Sequence, residues 1–152
     1  MTKIAFERPD QPEVVALIDE LDAYQKPLYP PESHYGIDID ALMQSHVSFA
    51  VARTSEGLAV GCGAVVANDG WGELKRMFVR PSLRGRGIAQ RIIAFLEASA
   101  RQRGLALMRL ETGVSQPQAL RLYERAGYLR RGPFGQYGPD PLSVFMEKRL
   151  RD

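Results

Sequence analysis

The chain has 152 residues, 45% hydrophobic and 25% charged, which is the size and make-up of one ordinary globular domain spanning 1–152. No apolar run approaches the ~20 residues of a membrane span, and MTKIAFERPD at the start lacks a secretory leader's apolar stretch, so a cytoplasmic protein with no membrane partner is expected. The single cysteine, Cys62, excludes an internal disulfide, and no Cys/His cluster has metal-ligand spacing; no metal is expected, and Cys62 in GCGAVV reads as a buried structural thiol.

The net charge of +2 conceals an asymmetry. Residues 1–76 carry 6 Lys/Arg against 12 Asp/Glu, and residues 77–152 carry 14 against 6. A basic second half suits an anionic ligand. An acidic first half suits a cationic one, or is solvated surface.

In chain order, KIAFER (3–8) alternates like a strand. Residues 12–25 place Val14, Leu17, Ile18 and Leu21 at helical spacing behind Pro12. LYPPESHYG interrupts the helical pattern, and a short helix is expected at 38–44. VSFAVAR (47–53) and LAVGCGAVVA (58–67) flank TSEG, which predicts an antiparallel hairpin. WGELKRMFVRP (71–81) reads as the next strand.

Residues 88–103 form an amphipathic helix with Ile88, Ile92, Phe95, Leu96 and Ser99 on its stripe, Gln90, Arg91, Glu97 and Arg101 off it, and Gly104 at its end. LALMRLET (105–112) is an apolar strand. A helix over 116–126 follows, with Ser115 and Gln118 as its expected capping box. YLRR, a Gly/Pro-rich loop and a terminal strand, LSVFMEKRL, complete an α/β domain with one strand–helix–strand crossover in the middle.

The segment VRPSLRGRGIAQR (79–91) holds four arginines and two glycines. Its setting between a strand and a helix matters more than its charge. A helix's first turn has free N–H groups and partial positive charge, and glycine allows close approach, so Gly85 and Gly87 make a cradle for a phosphate. Arg84 and Arg86 can add charge-assisted bonds. GxxxxGK[ST] and GxGxxG are both absent.

Arg84-x-x-Gly87-x-Ala89 matches the Q/R-x-x-G-x-G/A signature of the GNAT superfamily of N-acetyltransferases. ELKRMFVRP looks like that family's fourth strand, and ALRLYERAGY resembles its A-x-x-L-Y-x-x-x-G-[FY] helix. The element order agrees across nearly the whole chain. The resemblance implies a single-domain GNAT fold: a mixed, mostly antiparallel twisted sheet of six to seven strands with about four helices.

It also implies acetyl-CoA as co-substrate, lying between the fourth and fifth strands. Main-chain groups of Met77, Phe78 and Val79 would pair with the pantetheine arm. Amides of Arg84, Gly85, Arg86, Gly87, Ile88 and Ala89 would hold the pyrophosphate. Gln116 stands where many relatives carry an asparagine that helps hold the pantetheine. Glu73 is the candidate base, or the partner of Lys75 or Arg76 in a salt bridge. Tyr123 is the candidate acid for the leaving thiolate, or a core aromatic. An alkylammonium, with a pKa near ~10.4, must lose a proton before it attacks. Glu32, His34 and Tyr35 fall in the acceptor region, and Arg109 and Glu111 share a face of the fifth strand; each is an acceptor-site candidate or a surface group.

The expected activity is acetyl transfer to a primary amine of a small or amino-acid-like molecule. The alternatives are a protein or peptide acetyltransferase and a non-catalytic acyl-CoA sensor. A nucleic-acid binder would interleave aromatics with exposed basic residues; the arginines flank an anion cradle instead, so no nucleic-acid partner is expected. A homodimer is left open by the resemblance alone.

Overall fold

Apolar side chains recur with period two in the strands and near period four in the helices, and both patterns resolve into one layered unit. The computed structural model describes residues 2–150. Seven strands, β1 (Lys3–Phe6), β2 (Val47–Arg53), β3 (Ala59–Ala67), β4 (Trp71–Val79), β5 (Leu107–Gly113), β6 (Leu129–Arg131) and β7 (Ser143–Arg149), form one sheet in the order β1-β2-β3-β4-β5-β7-β6. Only β4 and β5 run parallel. Four α-helices, α1 (Pro12–Gln25), α2 (Ile39–Leu42), α3 (Ile88–Gln102) and α4 (Pro117–Arg125), cover its faces.

Val14, Leu17, Ile18 and Leu21 of α1 pack with Phe49, Cys62 and Phe78 on one face. Ile88, Ile92, Ile93 and Leu96 of α3 join Leu110, Tyr123 and Met146 on the other. Cys62 is buried, its thiol donating to the Arg76 carbonyl at 3.2 Å. Burial pushes that thiol up to about 12.

Two local expectations are corrected. Glu97, placed on the solvent side of α3, is buried; it accepts from the Tyr128 hydroxyl and the Lys148 ammonium, each at 2.9 Å. A side chain with two such partners satisfies its charge inside the protein. The Ser115–Gln118 capping box does not form. Gln116 is the N-cap of α4 and makes no side-chain cap bond, because its Oε1 accepts from Tyr29 across the fold.

The β3–β4 ladder slips once. Cys62 pairs with Phe78 and Ala64 with Lys75, so Arg76 and Met77 together oppose Gly63. This is a β-bulge. Arg76 has φ +58°, the one non-glycine residue with positive φ among those described. Its side chain is held by Asp22 at 2.6 Å and by the Ile37 carbonyl at 2.9 Å. Parallel pairing of β4 with β5 runs from Trp71–Leu107 to Leu74–Leu110 and stops there. Past Leu74 no strand lies against β4 on that side, and the sheet opens as a slot.

Candidate active site

The slot has three connected parts. A chamber of about 370 Å³ lies at its inner end, bounded by Lys75, Arg76, Glu111 and Tyr123 and by the segment around Tyr29 and Tyr35. A second space of about 390 Å³ runs along Met77, Phe78 and Val79 to Gln116 and Ala119. A groove of about 670 Å³ continues past Arg84, Gly85, Gly87 and Ala89 to the outer face of α4. Tyr123 and Gln116 border the first two spaces, and Arg84 and Ala89 border the last two.

A single 3₁₀ turn at Pro81–Leu83 ends β4, and Gly87 caps α3. Gly85 and Gly87 have φ of +82° and +78°, a region glycine occupies without strain. An added Cβ on Gly85 would meet nothing within 4 Å, so its main chain faces the groove freely. The first amides of α3 point to the same place. Arg84 folds back, its Nε donating to the Val79 carbonyl at 3.0 Å and its guanidinium lying 5.4 Å from the Tyr24 ring centroid. Arg86 is exposed.

The inner chamber is roofed by the segments before α2 and before β7. Asp140 joins them, accepting from the Ser33 hydroxyl at 2.7 Å and the Tyr35 hydroxyl at 2.5 Å. The Tyr29 hydroxyl donates to Gln116 Oε1 at 3.1 Å and accepts from the Ser115 amide at 3.2 Å. Composition placed none of Tyr29, Tyr137, Asp140 or Ser143 at the site. The signal for Tyr137 and Asp140 is the Gly/Pro-rich spacing of GPFGQYGPDP, which marks a loop but not where it lands; Tyr29 lies in LYPPESHYG and Ser143 in LSVFMEKRL, neither of which marks a single residue for the site.

Glu73 and Lys75 share one face of β4. Glu73 accepts from Lys75 at 3.3 Å and from the Tyr137 hydroxyl at 2.5 Å, and it does not border the chamber. Lys75 Nζ also donates to the Tyr35 carbonyl at 2.8 Å and to the Tyr137 oxygen at 2.9 Å. Glu111 does border the chamber, and burial raises its pKa above the ordinary carboxylate value. Tyr123 is buried, which raises its phenol pKa, with the Glu111 charge adding to the effect.

His34 and Tyr35 border the chamber as well; His34 is exposed, with Nε2 2.8 Å from the Tyr29 carbonyl. Glu32 is exposed and lies off the chamber wall. Arg109 is turned away, paired with Glu147 at 2.7 Å and stacked 4.9 Å from the Trp71 ring centroid.

A glycine loop leading into α3, an unpaired strand edge and a roofed chamber lie together in one split sheet, and the chain belongs to the Acetyltransferase (GNAT) family, whose model matches residues 14–128. It is 50% identical over 149 residues to an IAA acetyltransferase of Azospirillum brasilense, covering 97% of both chains. It is 36% identical over 141 residues to YsnE, an uncharacterized N-acetyltransferase of Bacillus subtilis, covering 91% of this chain and 93% of that one. A solved Klebsiella pneumoniae chain assigned as an acyl-CoA N-acyltransferase superposes with a TM-score of 0.84 at 42% identity, covering 99% and 98%. An aminoglycoside 6′-N-acetyltransferase complexed with coenzyme A shares the fold, with a TM-score of 0.74 at 18% identity, covering 99% and 98%. The protein is an acyltransferase of this family.

Proposed function

We propose that the protein transfers the acetyl group of acetyl-CoA to the primary amine of a small, amino-acid-like molecule. The observation that carries this reading is the continuity of the three spaces. A long ligand with an anionic middle fits with its phosphates at Gly85–Ala89, its extended arm along the free edge of Met77–Val79 and its acyl end beside Tyr123. Coenzyme A has that shape, and a solved relative of the same fold is described with it bound.

The chamber's volume of about 370 Å³ and its tyrosine roof favour a small acceptor over a protein segment. The 50%-identical relative, named for acetylating IAA, supports the same direction. Tyr123 gives its hydroxyl proton to the departing thiolate. A main-chain N–H on the open edge of β4 stabilises the oxyanion.

Calorimetric titration with acetyl-CoA tests the cofactor half of the reading. Binding at micromolar levels is expected, and its absence would remove the acetyltransferase and acyl-CoA sensor readings together. A panel of small amines, amino acids and peptides, followed by thiol release, tests the acceptor half. Turnover confined to peptides would replace the small-molecule reading, and binding without turnover on any acceptor would favour the sensor.

A further inference from the structure

We propose that Glu111 receives the acceptor's ammonium and takes its proton, so that the acceptor class is aliphatic amines that arrive positively charged. The proposal rests on the acetyl-transfer reading and assigns the base within it.

The placement is geometric. Leu110 is the last residue of β5 paired with β4, so Glu111 stands at the point where the slot opens. Its Oε2 accepts from the Ser143 hydroxyl at 2.7 Å, and it makes no salt bridge among the described residues. Three carboxylates nearby have cationic partners: Glu73 has Lys75, Asp22 has Arg76, and Glu147 has Arg109 and Arg131. Asp140 lies off the chamber wall and accepts from the Ser33 and Tyr35 hydroxyls and the Leu142 amide, and Asp38 is exposed to water. A half-buried carboxylate without a cation, on the wall of a chamber, is a receptor for one.

Every neighbouring element faces it: Lys75 and Glu73 from β4, Ser143 from β7, Tyr123 from α4, Tyr29 and Tyr35 from the segment before α2, and Tyr137 and Asp140 from the segment before β7. Lys75 is nearest in kind to a partner, but its Nζ is shared among Glu73, the Tyr35 carbonyl and Tyr137. Glu73, tied to the same lysine, acts as a positioning residue.

The protons balance over the three hydrogens of the ammonium. One passes to the Glu111 carboxylate, and the freed nitrogen lone pair forms the C–N bond to the thioester carbonyl carbon. The C–S bond then breaks, with the Tyr123 proton going to sulfur. The second ammonium hydrogen restores Tyr123, and the third stays in the amide. Glu111 releases its proton to solvent.

The test compares Glu111→Gln, Ser143→Ala and Glu73→Gln with the unaltered protein, measuring acetyl-CoA affinity by calorimetry and kcat/KM against pH for an aliphatic amine. Glu111→Gln should keep acetyl-CoA affinity, lose about a hundredfold or more in kcat/KM at neutral pH, and recover activity only as the amine itself deprotonates, near ~10.4. An acceptor already neutral at pH 7 should lose far less. Ser143→Ala removes a hydrogen bond that favours the charged carboxylate, so its acidic limb should move to higher pH. Glu73→Gln should lower activity while leaving that limb in place.

An acidic limb retained in Glu111→Gln would overturn the assignment. If that variant fails to fold, an unmoved limb in Ser143→Ala overturns it instead. Failure of the unaltered protein to bind acetyl-CoA would overturn the underlying reading; binding with an unmoved limb overturns the Glu111 inference alone.

Discussion

Tyr29 lies so close over Gly113 that a methyl group on that glycine would sit 1.6 Å from the tyrosine oxygen. The contact pins the chamber roof to the end of β5, and the same hydroxyl reaches Gln116 and the Ser115 amide. Gly113→Ala should therefore expel Tyr29. The expected loss is about 1–3 kcal/mol of stability by urea denaturation, together with a raised acceptor KM. A variant unchanged in both would show that Tyr29 is not a fixed part of the roof.

Tyr123→Phe keeps the ring in its apolar setting and removes only the hydroxyl. Acetyl transfer should slow by about a hundredfold, with acetyl-CoA affinity nearly unchanged by calorimetry. Unchanged turnover would take Tyr123 out of the chemistry and leave it as a packing residue of the α3 face.

Gly85→Ala isolates the phosphate cradle. The new methyl meets no protein atom, but the positive φ strains an alanine by about 1–2 kcal/mol. Acetyl-CoA should bind several-fold more weakly. An affinity equal to that of the unaltered protein would place the pyrophosphate elsewhere.

The order of elements along the chain, both long helices and the glycine loop between β4 and α3 are legible because each is local: period, turn residues and glycine placement act over a few positions. The position of β7 between β5 and β6 in the sheet is not local and has no such signal. The bulge at Arg76 was not, since nothing in LKRMFV marks an extra residue. Glu97 was misread for a related reason. Its helical position borders the apolar stripe, and only β7's Lys148 and the distant Tyr128, brought in by tertiary folding, make burial tolerable there. The chamber roof combines residues separated by 107 positions, such as Ser33 and Asp140, a pairing that no local pattern encodes.

Glu97→Ala should destabilise the protein by about 3 kcal/mol, because the Tyr128 hydroxyl and Lys148 ammonium lose their shared acceptor. Glu97→Ala combined with Lys148→Met should recover part of that loss. Purely additive destabilisation in the double variant would argue that the pair is not coupled.

Cys62 supplies a pH dependence of stability. Its folded pKa is raised to about 12 from an ordinary value of 9.0, so the folded state keeps a proton that the unfolded state gives up. Stability is unaffected by this group below about 9 and falls as pH rises between the two values. Cys62→Ser should flatten that decline in urea titrations. Thiol reagents at pH 8 should label Cys62 only as fast as the protein unfolds; rapid labelling of the native protein would contradict its burial.

The extra residue in β4 also sets what can vary in the chain. With one residue fewer, the ladder against β3 would run without interruption from Ala64–Lys75 to Cys62–Phe78, and Phe78 would stay on the α1 face. The bend that carries β4 away from β5 past Leu74 would lose its cause. The roof segments can change in length and composition while the slot survives. The length of β4 cannot: the roof is negotiable, and the count of residues from Trp71 to Val79 is not.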